Sequence, residues 1–125
     1  MNLDKSLFVA DYISEARDIL DSLDDMAIAS TKDKRNTSYL KEILRLLHTL
    51  KGSSRMLEYV QIEKVVNHLE TVFKNIQNNQ TEIPNKIIQL LLGVDEALRK
   101  TTEEIEDGGD GSLSLYETLL ENIDK

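Results

Sequence analysis

The sequence contains no cysteine, no tryptophan, one proline and five glycines among its 125 residues. Without cysteine the chain has neither a disulfide framework nor a thiolate for catalysis or metal binding. The scarcity of the helix breakers glycine and proline, together with apolar residues that recur at helical spacing, predicts an all-α fold. No apolar run approaches the roughly 20 residues of a membrane span, so we expect no membrane-embedded segment.

Acidic residues outnumber basic ones and give the chain a formal net charge of −8. This balance argues against nucleic acid as the main partner, because binding to its phosphates depends on lysine and arginine. The N-terminus lacks a signal-peptide pattern, and we therefore predict a cytoplasmic location. The length suits one domain with a single core, so we interpret residues 1–125 as one domain that is monomeric when isolated.

Apolar periodicity predicts four long helices followed by a short fifth one. Polar or glycine-rich stretches at 31–37, 78–81 and 107–112 separate them, and Pro84 suits the first turn of the fourth. Because loops this short favour antiparallel neighbours, the predicted fold is an up-down antiparallel four-helix bundle with a short fifth C-terminal helix. The predicted helices are 6–30, 38–57, 61–78, 84–106 and 113–123.

The second predicted helix carries the most informative motif, which consists of His48, Lys51 and Gly52. A neutral imidazole is a nucleophile near neutral pH, and a lysine three residues later lies on the same helical face, where it can hold phosphoryl oxygens. Glycine costs a helix about 1 kcal/mol relative to alanine, so its presence indicates a clearance for a partner. The motif predicts a phosphorylatable histidine, with an ordinary surface histidine as the alternative.

Helical geometry places His48 on the solvent side of its helix. Successive residues advance by about 100°, and the apolar stripe that faces the core comprises Leu40, Ile43, Leu47, Leu50, Ser54 and Leu57. His48 lies well around the helix from that stripe, beside Gly52. Four cations share this exposed side and form a basic face of Lys41, Arg45, Lys51 and Arg55. On an acidic chain, such a face predicts attraction of a phosphoryl donor or of an acidic partner pocket.

Glu70 on the third predicted helix is expected to lie level with His48. Each is about ten residues from the turn at 58–60 that joins the two helices, and equal separations from an antiparallel turn place two residues side by side. The alternative is a solvated carboxylate on a surface stripe with Glu63, Asn67 and Lys74.

Residues 47–54, Leu-His-Thr-Leu-Lys-Gly-Ser-Ser, resemble the signature of histidine-containing phosphotransfer (Hpt) domains. The resemblance includes residues 8–16 and 68–70, and it is greatest to the N-terminal phosphotransfer domain of CheA-type chemotaxis histidine kinases. It implies that His48 is phosphorylated, that Lys51 is its electrostatic neighbour and that Gly52 admits the partner. It further implies that Glu70 accepts a hydrogen bond from one imidazole nitrogen and leaves the outer nitrogen as the nucleophile.

The sequence departs from this family in two places. The family's second histidine on the third helix matches Asn67 here, whereas His68 is displaced by one residue; whether Asn67 or His68 joins the hydrogen-bond network of His48 stays open. In addition, residues 53–55 are Ser-Ser-Arg, where those kinases usually have small residues.

The predicted function is therefore histidine phosphotransfer in two-component signalling of the chemotaxis type. The resemblance implies two partners: a histidine kinase catalytic domain, which supplies ATP and Mg²⁺, and a response-regulator receiver domain, whose aspartate accepts the phosphoryl group from His48. The chain has no glycine-rich phosphate loop and no metal-ligand spacing, so we expect no ATP binding, kinase activity or metal site in it alone. The alternatives are a non-catalytic helical module that docks an acidic partner through the basic face, and a free-standing phosphorelay protein.

Overall fold

The computed structural model describes residues 6–33 and 37–113, which form four α-helices and, within those ranges, no β-strand. None of the four helices has an apolar stretch long enough to cross a bilayer. The predicted fifth helix, 113–123, lies outside the described residues apart from its first one. The helices are α1 Ser6–Lys32, α2 Thr37–Met56, α3 Val60–Asn78 and α4 Asn85–Glu106.

Contacts between side chains establish that successive helices run antiparallel. Tyr12, near the start of α1, makes a 2.8 Å hydrogen bond to Ser54, near the end of α2. Arg17 of α1 pairs with Glu106 at the end of α4 at 3.0 Å. Since α3 returns along α2 after a short turn, the predicted up-down antiparallel bundle is confirmed.

One continuous apolar core fills the space between the helices. Every member of the stripe predicted for α2 is buried, so the assignment of its inner face from the 3.6-residue period is correct. Phe8, which the same period places on the inner side of α1, is instead 40% exposed. It lies in the first turn of α1, at the end of the described part of the bundle.

Five helix ends differ from those predicted, each by one or two residues, and two of these differences have a clear cause in the structure. α1 continues to Lys32, because the hydroxyl of Thr31 donates a hydrogen bond to the carbonyl of Ile28 and this polar residue therefore fits the helix surface. Pro84 precedes α4 instead of occupying its first turn. Its ψ of 146° is extended, and its carbonyl accepts the first hydrogen bonds of the helix, from the N–H groups of Ile87 and Ile88.

The turn between α2 and α3 sets the register of these two helices. The N–H of Glu58 donates to the carbonyl of Arg55, and the N–H of Tyr59 donates to the carbonyl of Ser54. Glu58 has a left-handed φ of 63°, so this arrangement is a Schellman motif with a non-glycine residue at its left-handed position. The motif reverses the chain within three residues and brings the polar edge of α3 beside the exposed side of α2.

Asp95 is a buried carboxylate on the side of α4 that faces α1. It is 3% exposed, and Oδ1 accepts a 2.7 Å hydrogen bond from Nε of Arg99, whose guanidinium also pairs with Asp21 of α1 at 2.8 Å. In the described part of the chain, Oδ2 of Asp95 has no hydrogen-bond partner. Burial raises the pKa of Asp95 to about 6, although the bond from Arg99 acts in the opposite direction and Asp24 and Asp21 add to the rise.

We expect Asp95→Asn to stabilise the fold at pH 7. A carboxyl group whose folded-state pKa is about 6, against 3.8 unfolded, binds protons more tightly in the folded state. Its ionised form therefore lowers the free energy of unfolding by up to about 3 kcal/mol at neutral pH, and this loss disappears as the pH falls from 6 to 4. The check is urea unfolding of both proteins at several pH values, in which the advantage of the variant should shrink toward pH 4.

The matched control is Asp25→Asn, which removes one negative charge from an exposed position on α1. For this variant, we do not expect the unfolding free energy to approach that of the wild type in the same way toward pH 4. A stability difference between Asp95→Asn and the wild type that stayed constant from pH 7 to pH 4 would contradict a raised pKa at Asp95.

Candidate functional site

His48 lies near the middle of α2, and 70% of its side chain is exposed. Its Nδ1 atom is 3.0 Å from Oε2 of Glu70 on α3, as the register of the two helices predicts. An ionised carboxylate only accepts hydrogen bonds, so Nδ1 carries the proton and Nε2 keeps its lone pair. The geometry therefore selects one tautomer and leaves Nε2 as a nucleophile at the surface.

Glu70 is the centre of this arrangement, because its carboxylate has partners on both helices. Its side chain is only 4% exposed, and Oε1 accepts a 2.6 Å hydrogen bond from Nζ of Lys51. Nζ of Lys74, one turn further along α3, is 3.9 Å from the same oxygen. Burial acts to raise the pKa of Glu70, but the hydrogen bonds from Lys51 and His48 outweigh it and keep the pKa below its ordinary value. Glu70 is thus not the solvated carboxylate of the alternative interpretation.

The basic face of α2 is largely neutralised by carboxylates. Arg45 makes two contacts to Glu42, which precedes it by three residues, and Arg55 lies 3.8 Å from Glu63 of α3. With Lys51 bonded to Glu70, three of the four predicted cations have an acidic neighbour. Lys41, Arg45, Gly52 and Arg55 are all exposed, but their surface alternates in charge and is less positive than the cations alone predict.

Ser53 and Ser54, which depart from the pattern of the resembling kinases, both connect α2 to α1. Ser53 Oγ donates a hydrogen bond to Glu15, and Ser54, fully buried, shares a hydrogen bond with the hydroxyl of Tyr12. Burial raises the pKa of Tyr12 to about 12, with the Ser54 bond acting against this rise. The phenol therefore stays protonated across the physiological range, and these serines serve packing between helices.

Gly52 leaves open space beside His48. A Cβ atom built on it would meet no heavy atom within 4 Å other than those of its own helical turn, so the glycine is not required by close packing inside the bundle. Asn67, at the position of the family's second histidine, is exposed and has no hydrogen bond to His48 among the described residues. His68 is partly buried on the same helix.

Lys74 is the site residue that the sequence interpretation missed. The sequence pattern places Lys74 with Glu70 only on the surface stripe of the alternative interpretation. However, a glutamate followed four residues later by a lysine has the spacing of a helical ion pair. Glu42 and Arg45 are three residues apart, which is also a spacing of helical ion pairs. Their spacing therefore indicates that a carboxylate neutralises part of the basic face. Within the described ranges, no group of three histidine or acidic residues is arranged to hold a metal ion.

The chain is similar in sequence to a known protein family. The sequence model of the Hpt domain family matches residues 8–124. The chain belongs to the Hpt domain family. It is therefore a histidine phosphotransfer domain of two-component signalling.

Several chemotaxis proteins named CheA are similar to the chain. That of Listeria monocytogenes is 26% identical over 110 residues, which are 88% of this chain and 18% of that protein. That of Bacillus subtilis is 26% identical over 115 residues, 92% of this chain and 17% of that protein. That of Borreliella burgdorferi is 29% identical over 92 residues, 74% of this chain and 11% of that protein. The chain thus spans less than a fifth of the length of these relatives.

Proposed function

We propose that this chain is the phosphotransfer domain of a chemotaxis-type histidine kinase and that Nε2 of His48 carries the phosphoryl group. The observation that carries the proposal is the 3.0 Å contact between Nδ1 of His48 and the buried carboxylate of Glu70. It orients an exposed imidazole with its free nitrogen outward. The similarity to CheA proteins supports the assignment to chemotaxis-type signalling, which takes place in the cytoplasm.

In the proposed reaction, Nε2 attacks the γ-phosphorus of ATP. The nitrogen–phosphorus bond forms while the bond from phosphorus to the bridging oxygen breaks, and ADP leaves. The ring then has substituents on both nitrogens and gains positive charge, which the Glu70 carboxylate balances at hydrogen-bond distance. In the second step an aspartate oxygen of a response regulator attacks the same phosphorus and releases the imidazole.

The partners provide the remaining chemistry of phosphoryl transfer. ATP and Mg²⁺ are held by the histidine kinase catalytic domain, and a second Mg²⁺ site with the acceptor aspartate belongs to the receiver domain. This chain contributes the nucleophile, its orientation and a docking surface around Lys41, Arg45, Gly52 and Arg55. The surface alternates in charge, which favours a partner with complementary pairs over one that is only acidic. We expect the isolated domain to be monomeric.

Transfer of radiolabelled phosphate tests the proposal directly. The chain is incubated with a CheA-type kinase catalytic domain and ATP labelled at the γ-phosphate, and the product is treated with acid and with alkali. We expect a label that is lost in acid and kept in alkali, as for a phosphoramidate bond, and that moves to a receiver domain when one is added. A chain that takes no label from any such kinase would be a non-catalytic docking module.

Gly52→Leu is expected to separate docking from chemistry. Glycine in a helix is roughly 0.8–1 kcal/mol less favourable than alanine, and leucine ranks just below alanine. The leucine side chain also enters open space, so the variant should be at least as stable as the wild type. Its bulk beside His48 should slow transfer from a kinase domain at least tenfold. Phosphoramidate, a donor of a few atoms, should phosphorylate both proteins at similar rates.

The control for this prediction is Gly52→Ala, which makes at least the same gain in helix propensity with little bulk. Wild-type rates with the kinase for Gly52→Leu would contradict the role of Gly52 as a clearance and place the docking surface elsewhere.

A further inference from the structure

The two lysines near Glu70 are held to different degrees. Lys51 is 24% exposed and donates a 2.6 Å hydrogen bond to Oε1. Its withdrawal would leave a carboxylate that is 4% exposed without its main counter-charge, which is unfavourable for a buried ion. Lys74 is 58% exposed, and its Nζ atom lies 3.9 Å from Oε1, beyond hydrogen-bond distance. A solvent-exposed contact of this length is weak, so Lys74 can leave Glu70 at little cost.

The two lysines are attached to the backbone on opposite sides of the level of His48 along the bundle axis, although both ammonium groups reach the same oxygen of Glu70. Lys51 follows His48 by one turn of α2, whereas Lys74 follows Glu70 by one turn of α3. Because the helices are antiparallel and His48 is level with Glu70, Lys74 lies on the side toward the start of α2. Among the described residues, Arg45 also lies on that side, and Glu42 engages it through two contacts.

We propose that Lys74 is a phosphoryl-binding residue of this domain, and that Lys51 remains with Glu70 as a positioning residue. This inference rests on the proposed function of His48. It reverses the role that the sequence predicts for Lys51, whose ammonium group is already committed to a buried carboxylate.

The charge balance of the site supports this division. In the unphosphorylated site two ammonium groups face one carboxylate, so the cluster carries one excess positive charge. A phosphoryl group brings a charge of about −2. It therefore attracts the ammonium group of Lys74 more strongly than the Glu70 carboxylate does, because that carboxylate already accepts hydrogen bonds from Lys51 and His48. Lysine carries its charge on a flexible four-carbon stem, which allows Nζ of Lys74 to move from Glu70 to the phosphoryl oxygens without a change in the backbone.

Uptake from phosphoramidate tests the proposal, because so small a donor needs no docking surface. In this reaction the bond from Nε2 to phosphorus forms, the phosphorus–nitrogen bond of the donor breaks, and ammonia leaves. We expect Lys74→Gln to slow uptake by the chain about twofold to fivefold, the range for one solvent-exposed ion pair. Lys74→Arg should restore most of the rate. Lys64→Gln, an equal charge change at an exposed position on α3, should retain the wild-type rate.

Two spectroscopic measurements distinguish contact with the phosphoryl group from a structural role. Carbon-13 spectra of the lysine ε-methylene groups should show a larger shift for Lys74 than for Lys51 when His48 is phosphorylated. Nitrogen-15 spectra of the unphosphorylated chain should show the same His48 tautomer in Lys74→Gln as in the wild type, whereas Lys51→Gln should alter it through Glu70.

Equal rates for Lys74→Gln and Lys64→Gln would overturn the inference, and so would an ε-methylene shift on phosphorylation confined to Lys51. The proposed function would still stand in both cases, because the wild-type chain would still take up phosphate at His48. Equal uptake by the wild type and by His48→Gln would instead contradict the proposed function, and this inference with it.

Discussion

Replacing His48 with glutamine is expected to abolish phosphoryl uptake while leaving the bundle folded. The substitution removes the only ring nitrogen with an outward lone pair, and an amide nitrogen is not a nucleophile for phosphorus. Glutamine can still donate a hydrogen bond to Glu70 from its amide group, and the replaced side chain is 70% exposed. The unfolding free energy should therefore change by less than about 1 kcal/mol. Labelling with kinase and ATP, with circular dichroism of the same preparations, provides the measurement.

His68→Gln is the matched control for this experiment, since it removes the other histidine of the chain from the neighbouring helix. It should be labelled at a level comparable to the wild type. Loss of label in His68→Gln, or labelling of His48→Gln at the wild-type level, would contradict the assignment of His48 as the phosphorylated residue.

Glu70→Ala is expected to slow phosphoryl uptake about tenfold to 150-fold. The physical reason is the loss of one charge-assisted hydrogen bond, worth about 1.5–3 kcal/mol, which orients the imidazole and balances the charge that develops on the ring. Glu70 lies behind the imidazole and is 4% exposed, so binding of the partner should change much less than the rate. Single-turnover labelling, together with a binding assay for the kinase domain, separates these two effects.

The tautomer of His48 gives an independent readout of the same variant. Nitrogen-15 spectra should show the proton confined to Nδ1 in the wild type and distributed over both ring nitrogens in Glu70→Ala. Glu63→Ala, which removes a carboxylate from the same helix without touching His48, should retain the wild-type tautomer. Unchanged uptake and an unchanged tautomer in Glu70→Ala would show that the 3.0 Å contact does not orient the ring.

Stability should respond to pH in opposite directions at Glu70 and Asp95. The hydrogen bonds that lower the pKa of Glu70 stabilise the folded state above the ordinary pKa of 4.5, and this contribution is lost as the pH falls through the folded-state pKa. Burial raises the pKa of Asp95, so its unfavourable contribution is lost as the pH falls. The difference lies in the partners: Glu70 receives hydrogen bonds on both oxygens, whereas one oxygen of Asp95 has no hydrogen-bond partner among residues 6–33 and 37–113.

The helices and their inner faces were predictable because they depend on local periodicity. The α2 stripe from Leu40 to Leu57 is buried as the 3.6-residue period requires, and helix ends were correct within two residues at the described boundaries. Phe8 fails the same rule, since periodicity identifies the face on which a residue lies but not whether another element covers it. Phe8 lies in the first turn of α1 and is 40% exposed.

The site was predictable where its residues share one helix or an antiparallel register. His48, Lys51 and Gly52 are adjacent on α2, and the distances of His48 and Glu70 from their common turn indicate that they meet. The charge of the surface was not predictable to the same extent. Counting the cations of α2 alone gives a basic face, whereas Glu63 and Glu70 come from α3 and neutralise part of it.

The amino-acid sequence by itself determined the four long helices, the stripe that α2 buries and the histidine that lies outside this stripe. These follow from hydrophobic burial and helical geometry within single segments. Only the tertiary structure decided that Glu70 is buried, that it binds Lys51 and His48 at once, and that Lys74 is left loosely held. The free-energy cost of burying an ionised carboxylate depends on its solvent exposure. Whether a lysine forms a hydrogen bond to that carboxylate depends on the distance between atoms of two different helices. Those quantities exist only once α2 and α3 have packed together.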